Sequence, residues 1–327
     1  MRTARYAFVA ALLLAAFTLA LAGALHAQSY PTKSILVVLP QQSGSATDVM
    51  VRLAGQKMSE SMKQPVVMMN LPGAGGLIGA ERIANSPPDG YTIGSLNDGL
   101  LTQVPYLFQK IAYDPVNGFE PVSTVATVTY ALVVHPSLPA KSVSELIALA
   151  KAQPGKIDFA SGGNGNAQHL AMELFMSQTG TSFTHVPFRG AAQAGLEVVS
   201  GRVPVALMGI APNLSFIREG RLRALAVPAE KRSYLLPDVP TVTEAGVRGY
   251  VFSTYTGFFV PRGTPRAIIE RLSRETVKAV NEPVVRERLL QLGMEPGGST
   301  PEQLGALIQN DRVKWQKVIK DAGIKAE

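Results

Sequence analysis

The 327-residue sequence contains no cysteine. That absence excludes a disulfide framework, a thiol nucleophile, a thiolate zinc site and a lipidated N-terminal cysteine. It has a single tryptophan, Trp315, and four histidines. Three of these, His135, His169 and His185, follow the leader described below and lie far apart. No HExxH pair and no GxSxG segment occurs, so zinc hydrolysis and the nucleophile-elbow hydrolase have no motif. There is no dense Lys/Arg stripe with interleaved aromatics, so nucleic acid is not expected as a partner. Beyond the first 25 residues no run is long and apolar enough to span a bilayer. The glycine-rich stretches do not complete a nucleotide motif. No Lys-Ser/Thr follows the glycines of 161–166. The stretch 70–81 reads GxGxxxG instead of GxGxxG and follows the second expected strand, where a nicotinamide motif would follow the first. No cofactor and no metal are expected.

What is present starts with the leader. Arg2 and Arg5 precede an apolar run from about Ala7 to Leu25, and small residues follow. This is a signal peptide, residues 1–27, with cleavage after Ala27 and an alternative cut after Ala24. An uncleaved anchor is the rival reading. Its alanine content and small-residue exit favour cleavage, so the mature protein is expected to be exported and soluble. The formal charge of +7 falls to +5 once Arg2 and Arg5 are gone. A mild positive balance suits anionic small ligands. Apolar residues make up 46% of the chain, and its length allows two domains.

The pattern alternates strands and helices. Strands are expected at 34–40, 64–70 and 91–97, with helices from about Thr47 or Asp48 and over 76–86. After residue 126 the alternation resumes, with strands at 130–136, 157–163, 183–188, 203–209 and 222–228. Helices are expected at 142–152, with a capping box from Ser142 to Glu145, at 167–178 and at 191–201. From Thr264 the tail is mostly helical, with Thr264-Pro265 as N-cap and first helical residue and a second cap from Thr300 to Gln303. Two α/β units with a cleft between them follow from this order, and ligands sit outside the carboxyl ends of such strands. Three loops qualify: 41–48, 97–102 and 161–167.

The loop "SGGNGNAQHL" (161–170) leaves a strand and opens a helix. Its glycines admit positive φ, and the first helical amides are free to meet an anion. A tight turn with no ligand is the plain alternative. "QQSGSATD" (41–48) has the same layout. Ser43, Ser45 and Thr47 offer hydroxyls, while Asp48 is also an ordinary first-turn acid. His169 either meets a ligand at the second loop or packs on the next strand. Trp315 is expected to anchor the tail helix to the first lobe.

With these stretches set out, the chain resembles the substrate-binding receptors of tripartite tricarboxylate transporters, the Bug or TctC family. The resemblance runs from Tyr30 to near the C-terminus. It rests on "NLPGAGGLIGAERIANSPPDGYTIG" (70–94), "YDPVNGFEPVS" (113–123), "SVSELIALAKAQPGKIDFASGGNGNAQHLAMELF" (142–175), "HVPFRGAA" (185–192), "LPDVPTVTEAG" (236–246) and "GTPRAIIERL" (263–272). It implies a two-lobed periplasmic binding protein of α/β class, a type II-like Venus flytrap whose lobes are mixed, mostly parallel sheets flanked by helices. Lobe 1 would be 28–125 plus 255–327, and lobe 2 126–254. The two glycine loops would face each other and grip a ligand carboxylate by amides, hydroxyls and bridging waters. The implied ligand-binding residues are Ser43, Gly44, Ser45, Thr47, Asp48 and Asn97 in lobe 1. In lobe 2 they are Ser161, Gly163, Asn164, Gly165, Asn166, His169 and Met208.

Three departures stand out from the family pattern. The usual PFPAGGxTD is "PQQSGSATD" here, Met208 stands where an acid is common, and the usual tryptophan of WxG is Tyr255. The expected function is a monomeric periplasmic receptor that captures a small organic carboxylate (a di- or tricarboxylate, an aromatic acid or similar) and delivers it to a membrane permease. It is not expected to be an enzyme. A sensor receptor that presents its ligand to a signalling protein is the alternative, and an exported hydrolase a further one.

Overall fold

The computed structural model describes residues 30–108 and 110–325. The leader and its cleavage points lie outside them. In chain order the first elements are β1 (Ile35–Leu39), α1 (Ala46–Met62), β2 (Val66–Asn70), α2 (Leu77–Ala84), β3 (Thr92–Asn97), α3 (Asp98–Thr102), α4 (Val104–Leu107) and β4 (Phe119–Val128). Next come β5 (Tyr130–Val134), α5 (Val143–Ala152), β6 (Asp158–Ser161), α6 (Ala167–Thr179), β7 (Thr184–Pro187), α7 (Ala191–Val199), β8 (Val205–Gly209), α8 (Ile210–Arg218) and β9 (Arg223–Ala226). The chain then forms β10 (Thr254–Pro261), α9 (Arg266–Asn281), α10 (Pro283–Gln291), β11 (Met294–Pro296) and α11 (Pro301–Asp321).

Two sheets result, with strand orders β11-β4-β10-β3-β1-β2 and β7-β6-β8-β5-β9. They form the two lobes of an α/β fold. The expected strands and helices of the first 97 residues are present, and β1 is parallel to both β2 and β3. This part was legible because a helix returns the chain after each strand, which demands parallel pairing. The sheets are nevertheless mixed, not mostly parallel. β4 and β5 carry the chain across at Thr129, and β10 brings it back. Each of these strands pairs antiparallel with its neighbours.

α1 buries Met50, Val51, Ala54 and Met58 at helical spacing. The Met68 side chain of β2 packs over Gly55 of α1, where an added Cβ would stand 1.9 Å from its terminal methyl Cε.

Helix ends follow the sequence signals in part. The box from Thr300 to Gln303 is complete. The Ser142 hydroxyl accepts from the Glu145 amide at 3.1 Å, but the Glu145 carboxylate accepts from Lys141 N–H, one residue upstream of the expected partner. Thr264 is not an N-cap. Its hydroxyl donates to the Pro261 carbonyl, and α9 starts at Arg266 behind Pro265.

The tail holds the main correction. Leu304 and Ile308 of α11 pack with Leu96, Leu100 and Phe259 of the first lobe. Trp315, Val318 and Ile319 belong instead to the second lobe's core, with Leu170, Phe175 and Phe252. Trp315 meets Phe252 edge-on, with ring centroids 5.9 Å apart. Leu304 and Trp315 are separated by about 16 Å of helix rise, enough to leave one lobe and enter the other. Trp315 therefore does not tie the tail to the first lobe; α11 straddles both. Among the described residues no helix is long and apolar enough to cross a membrane.

Candidate functional site

The first loop is held by its own side chains. Ser45 has extended backbone, caps α1 and accepts from the Asp48 amide at 3.2 Å. Asp48 turns back and is buried. Its carboxylate accepts from Gly44 N–H at 2.9 Å, from Asn70 Nδ2 at 2.8 Å and from Arg52 Nε at 3.0 Å. Burial alone would raise its pKa. The hydrogen bonds from Arg52, Gly44 and Asn70 outweigh burial and hold the carboxyl below the usual carboxylate range. Asp48 is thus saturated within the protein and shapes the loop. Gly44, at φ +79°, makes the turn. Ser43 and Gly44 are exposed. Because the Ser45 hydroxyl caps the helix, Ser45→Ala should cost about 0.5–2 kcal/mol of stability, read as a lower denaturant midpoint. An unchanged midpoint would contradict the cap.

The second loop is likewise pre-bonded. The Gly162 amide donates to Gln168 Oε1 at 2.8 Å, and the Gly163 amide donates to Ser161 Oγ at 3.1 Å. The Gly165 amide donates to His169 Nδ1 at 3.0 Å. Since Nδ1 accepts, the His169 proton sits on Nε2, 3.3 Å from Glu173 Oε1. Asn166 caps α6 by accepting from the His169 amide at 2.9 Å. Behind the loop His169 stacks on His185, with centroids 3.8 Å apart, and His185 stacks on Phe159. Burial first, then the neighbouring His169, pushes His185 down to about 4, so it is neutral at physiological pH. Its Nε2 lies 2.6 Å from Ser161 Oγ. Of the two readings of His169, the structure shows packing against the next strand.

Between the lobes lies a cavity of about 940 Å³. Its lining brings together the first turns of helices from both lobes: Ala46 and Thr47 of α1, Asn166 to Gln168 at the start of α6, and Ala191 and Ala192 at the start of α7. Gly190 N–H donates to the Gly162 carbonyl at 3.2 Å, which sets the α7 start against the glycine loop before α6. A Cβ on Gly162 would stand 2.6 Å from the Ala191 nitrogen. Among the described residues no Asp, Glu, His, Lys or Arg lines the cavity. Beside uncharged polar and apolar side chains, the wall presents a set of helix N-termini, which favour negative charge without a formal cation.

Of the residues implied from sequence, Thr47 and Asn166 line this cavity. Ser45, Asp48, Ser161, Gly163, Gly165 and His169 frame its two loops from behind. Asn164 is an exposed residue of the second loop. Asn97 caps α3, accepting from Leu100 N–H at 3.1 Å, and does not line the cavity. Met208 is also absent from the lining. It is buried in the second lobe's core, and the adjacent Gly209 reaches the cavity in its place. The strand period explains this, because successive residues point to opposite faces. Sequence reasoning missed Ala191, Ala192, Ala211, Pro212 and the 291–294 turn. Gly190, at φ +108° just before a helix, was the one local signal.

Two α/β lobes with a cleft fed by helix N-termini define a periplasmic-type solute-binding protein. The chain belongs to the tripartite tricarboxylate transporter family receptors, whose TctC model matches residues 50–324. It is 35% identical to the protein BugT of Bordetella pertussis over 309 residues, covering 94% of this chain and 95% of that one. It is 37% identical to a protein encoded in the tcbD-tcbE intergenic region of Pseudomonas sp. strain P51, over 91% of this chain and 89% of that one. Among solved structures, a TctC solute-binding protein from Polaromonas superposes with a TM-score of 0.81 at 30% identity, covering 89% of this chain and 99% of that one. The R. palustris protein Rpa4515, solved with adipate, superposes at 0.74 and 33% identity, covering 90% and 99%. MatC of Rhodopseudomonas palustris, with bound malate, superposes at 0.71 and 31% identity, covering 89% and 100%.

Proposed function

We propose that the protein is a periplasmic receptor that closes its lobes on a small organic carboxylate and delivers it, as a monomer and without chemical turnover, to a membrane permease of the tripartite type. The lobes would be 28–125 with 255–327, and 126–254, α11 spanning both. The leader of residues 1–27 would be removed on export. The observation that carries this reading is the meeting of the α1 and α6 starts in one cavity that no charged side chain of the described residues lines. Such a seat suits an anion held by backbone dipoles. The relatives solved with adipate and malate point the same way. Thr47, Asn166 and the first-turn amides would touch the ligand. The pre-bonded loop residues would hold those amides in place.

A ligand at 100-fold its dissociation constant stabilises by about 2.7 kcal/mol. A screen of mono-, di- and tricarboxylates should therefore raise the melting temperature by several degrees with at least one acid. That acid should be recovered unchanged. If only sugars or metal ions raise it, the carboxylate reading fails; consumption of the acid would make the protein an enzyme.

A further inference from the structure

We propose that the glycine loop before α6 is a proton-operated catch. A proton taken up by His169 removes the acceptor that holds the Gly165 amide, frees the loop and weakens the grip of the cleft on its anion. The binding step rests on the receptor reading above; the loop step does not.

His169 holds the loop at two points. Its backbone amide donates to Asn166 Oδ1 at 2.9 Å, and its Nδ1 accepts from the Gly165 amide at 3.0 Å. Nε2, 3.3 Å from Glu173 Oε1, carries the one proton of the neutral ring. A second proton has only Nδ1 to go to. There it sets an N–H against the Gly165 N–H, donor against donor, and the Gly165 amide loses its partner. The Glu173 carboxylate favours the charged ring and so works against the Gly165 bond.

The displaced residues reach the ligand seat. Asn166, next to Gly165, lines the cavity. Leu107 of the first lobe packs over Gly165, where an added Cβ would stand 3.5 Å from both of its δ-carbons. A shift of Gly165 therefore disturbs the α6 start and a contact between the lobes together.

The surroundings leave His169 as the responding group. Among the described residues, the titratable groups that meet its ring are Glu173 on its own helix and His185 on β7. β6 adds the Phe159 ring, with centroids 6.1 Å apart. Burial, and then His169, hold His185 down to about 4, so it stays neutral over most of the range, about pH 5 to 8, in which imidazole ordinarily changes charge.

Nitrogen-15 NMR of the mature chain without ligand tests the loop step. As pH falls from about 8 to about 5, His169 Nδ1 should pass from acceptor to protonated nitrogen. The Gly165 amide should shift with the same midpoint and exchange faster with water. A Gly165 amide that stays put while His169 titrates, or a His169 that stays neutral throughout, would overturn the proposal. Calorimetry at the same two pH values, with malate, adipate and whichever acid the carboxylate screen finds tightest, tests the binding step. The wild type should lose about two- to tenfold more affinity on acidification than His169→Asn, the size of one hydrogen bond. The asparagine Oδ1 stands in for Nδ1 and takes up no proton, and the comparison cancels the titration of the acids themselves. His185→Phe should keep the wild-type response. Equal losses in the wild type and His169→Asn would overturn the binding step. No binding by any carboxylate, with the Gly165 amide still responding, would fail the receptor reading and support the loop step.

Discussion

Trp315→Ala should lower the unfolding free energy by about 3–5 kcal/mol, the range for truncating a buried large aromatic. Trp315 is 1% exposed and meets Phe252 edge-on. Its neighbours in the core come from β5, β6, α6 and α11 itself. The cavity left would open where the distal half of α11 enters the second lobe, while Leu304 and Ile308 keep their places in the first. Loss should therefore exceed simple transfer, because the helix cannot slide to fill the gap while its other half is held. Trp315→Phe should cost much less. The indole Nε1 has no hydrogen-bond partner, so the swap also removes an unsatisfied buried donor. Urea midpoints for both variants decide the matter. A loss below about 1 kcal/mol for Trp315→Ala would mean that the tail helix is not part of the second lobe's core in solution.

How far the sequence exposed this architecture varies along the chain. β1, α1 and β2 were legible because a short apolar strand, a capped helix and a second strand lie side by side in sequence. β4 and β10 were not. β4 reads "FEPVSTVATV", with Pro121, Ser123 and Thr124 where an apolar alternation would be sought. Those polar groups are satisfied from afar: the Ser123 hydroxyl donates to the Ser299 carbonyl at 2.8 Å. No local pattern encodes a partner 176 residues away. The site shows the same division. Of the three loops singled out in the sequence, those at 41–48 and 161–167 lead into helix starts that line the cavity, while no residue of 97–102 does. That Gly163 and Gly165 already spend their amides on Ser161 and His169 depends on the folded loop and could not be read in advance. The contributions of α7 and α8 were hidden for a plainer reason: most of their lining residues are alanine, proline, leucine and phenylalanine, apolar types that carry no chemical signature.

The second large effect concerns pH. Asp98, the first residue of α3, is 3% exposed, and its Oδ2 has no hydrogen-bond partner. Burial first, then the charge of Asp311 on α11, raises its pKa; the Gly99 amide and Lys314 oppose them, and the result is about 7. Lys314 itself pairs with Asp311 at 2.6 Å. Tyr130 and Tyr255 are the other titratable groups that interact with Asp98. In the unfolded chain an aspartate releases its proton near ~3.9. Between about pH 4 and 7 the folded protein thus holds a proton that the unfolded chain has lost. Stability then falls as pH rises through that window and levels off above it. The gap between the folded and unfolded proton affinities corresponds to about 4 kcal/mol as an upper bound. Asp98→Asn removes the titration and keeps the shape. The variant should match the wild type near pH 4 and exceed it near pH 8 by on the order of 2–4 kcal/mol. The difference between the two urea-midpoint profiles isolates Asp98 from Asp311, Lys314 and the tyrosines, which both proteins share. Parallel profiles from about pH 4 to 8 would show that Asp98 does not change charge on folding.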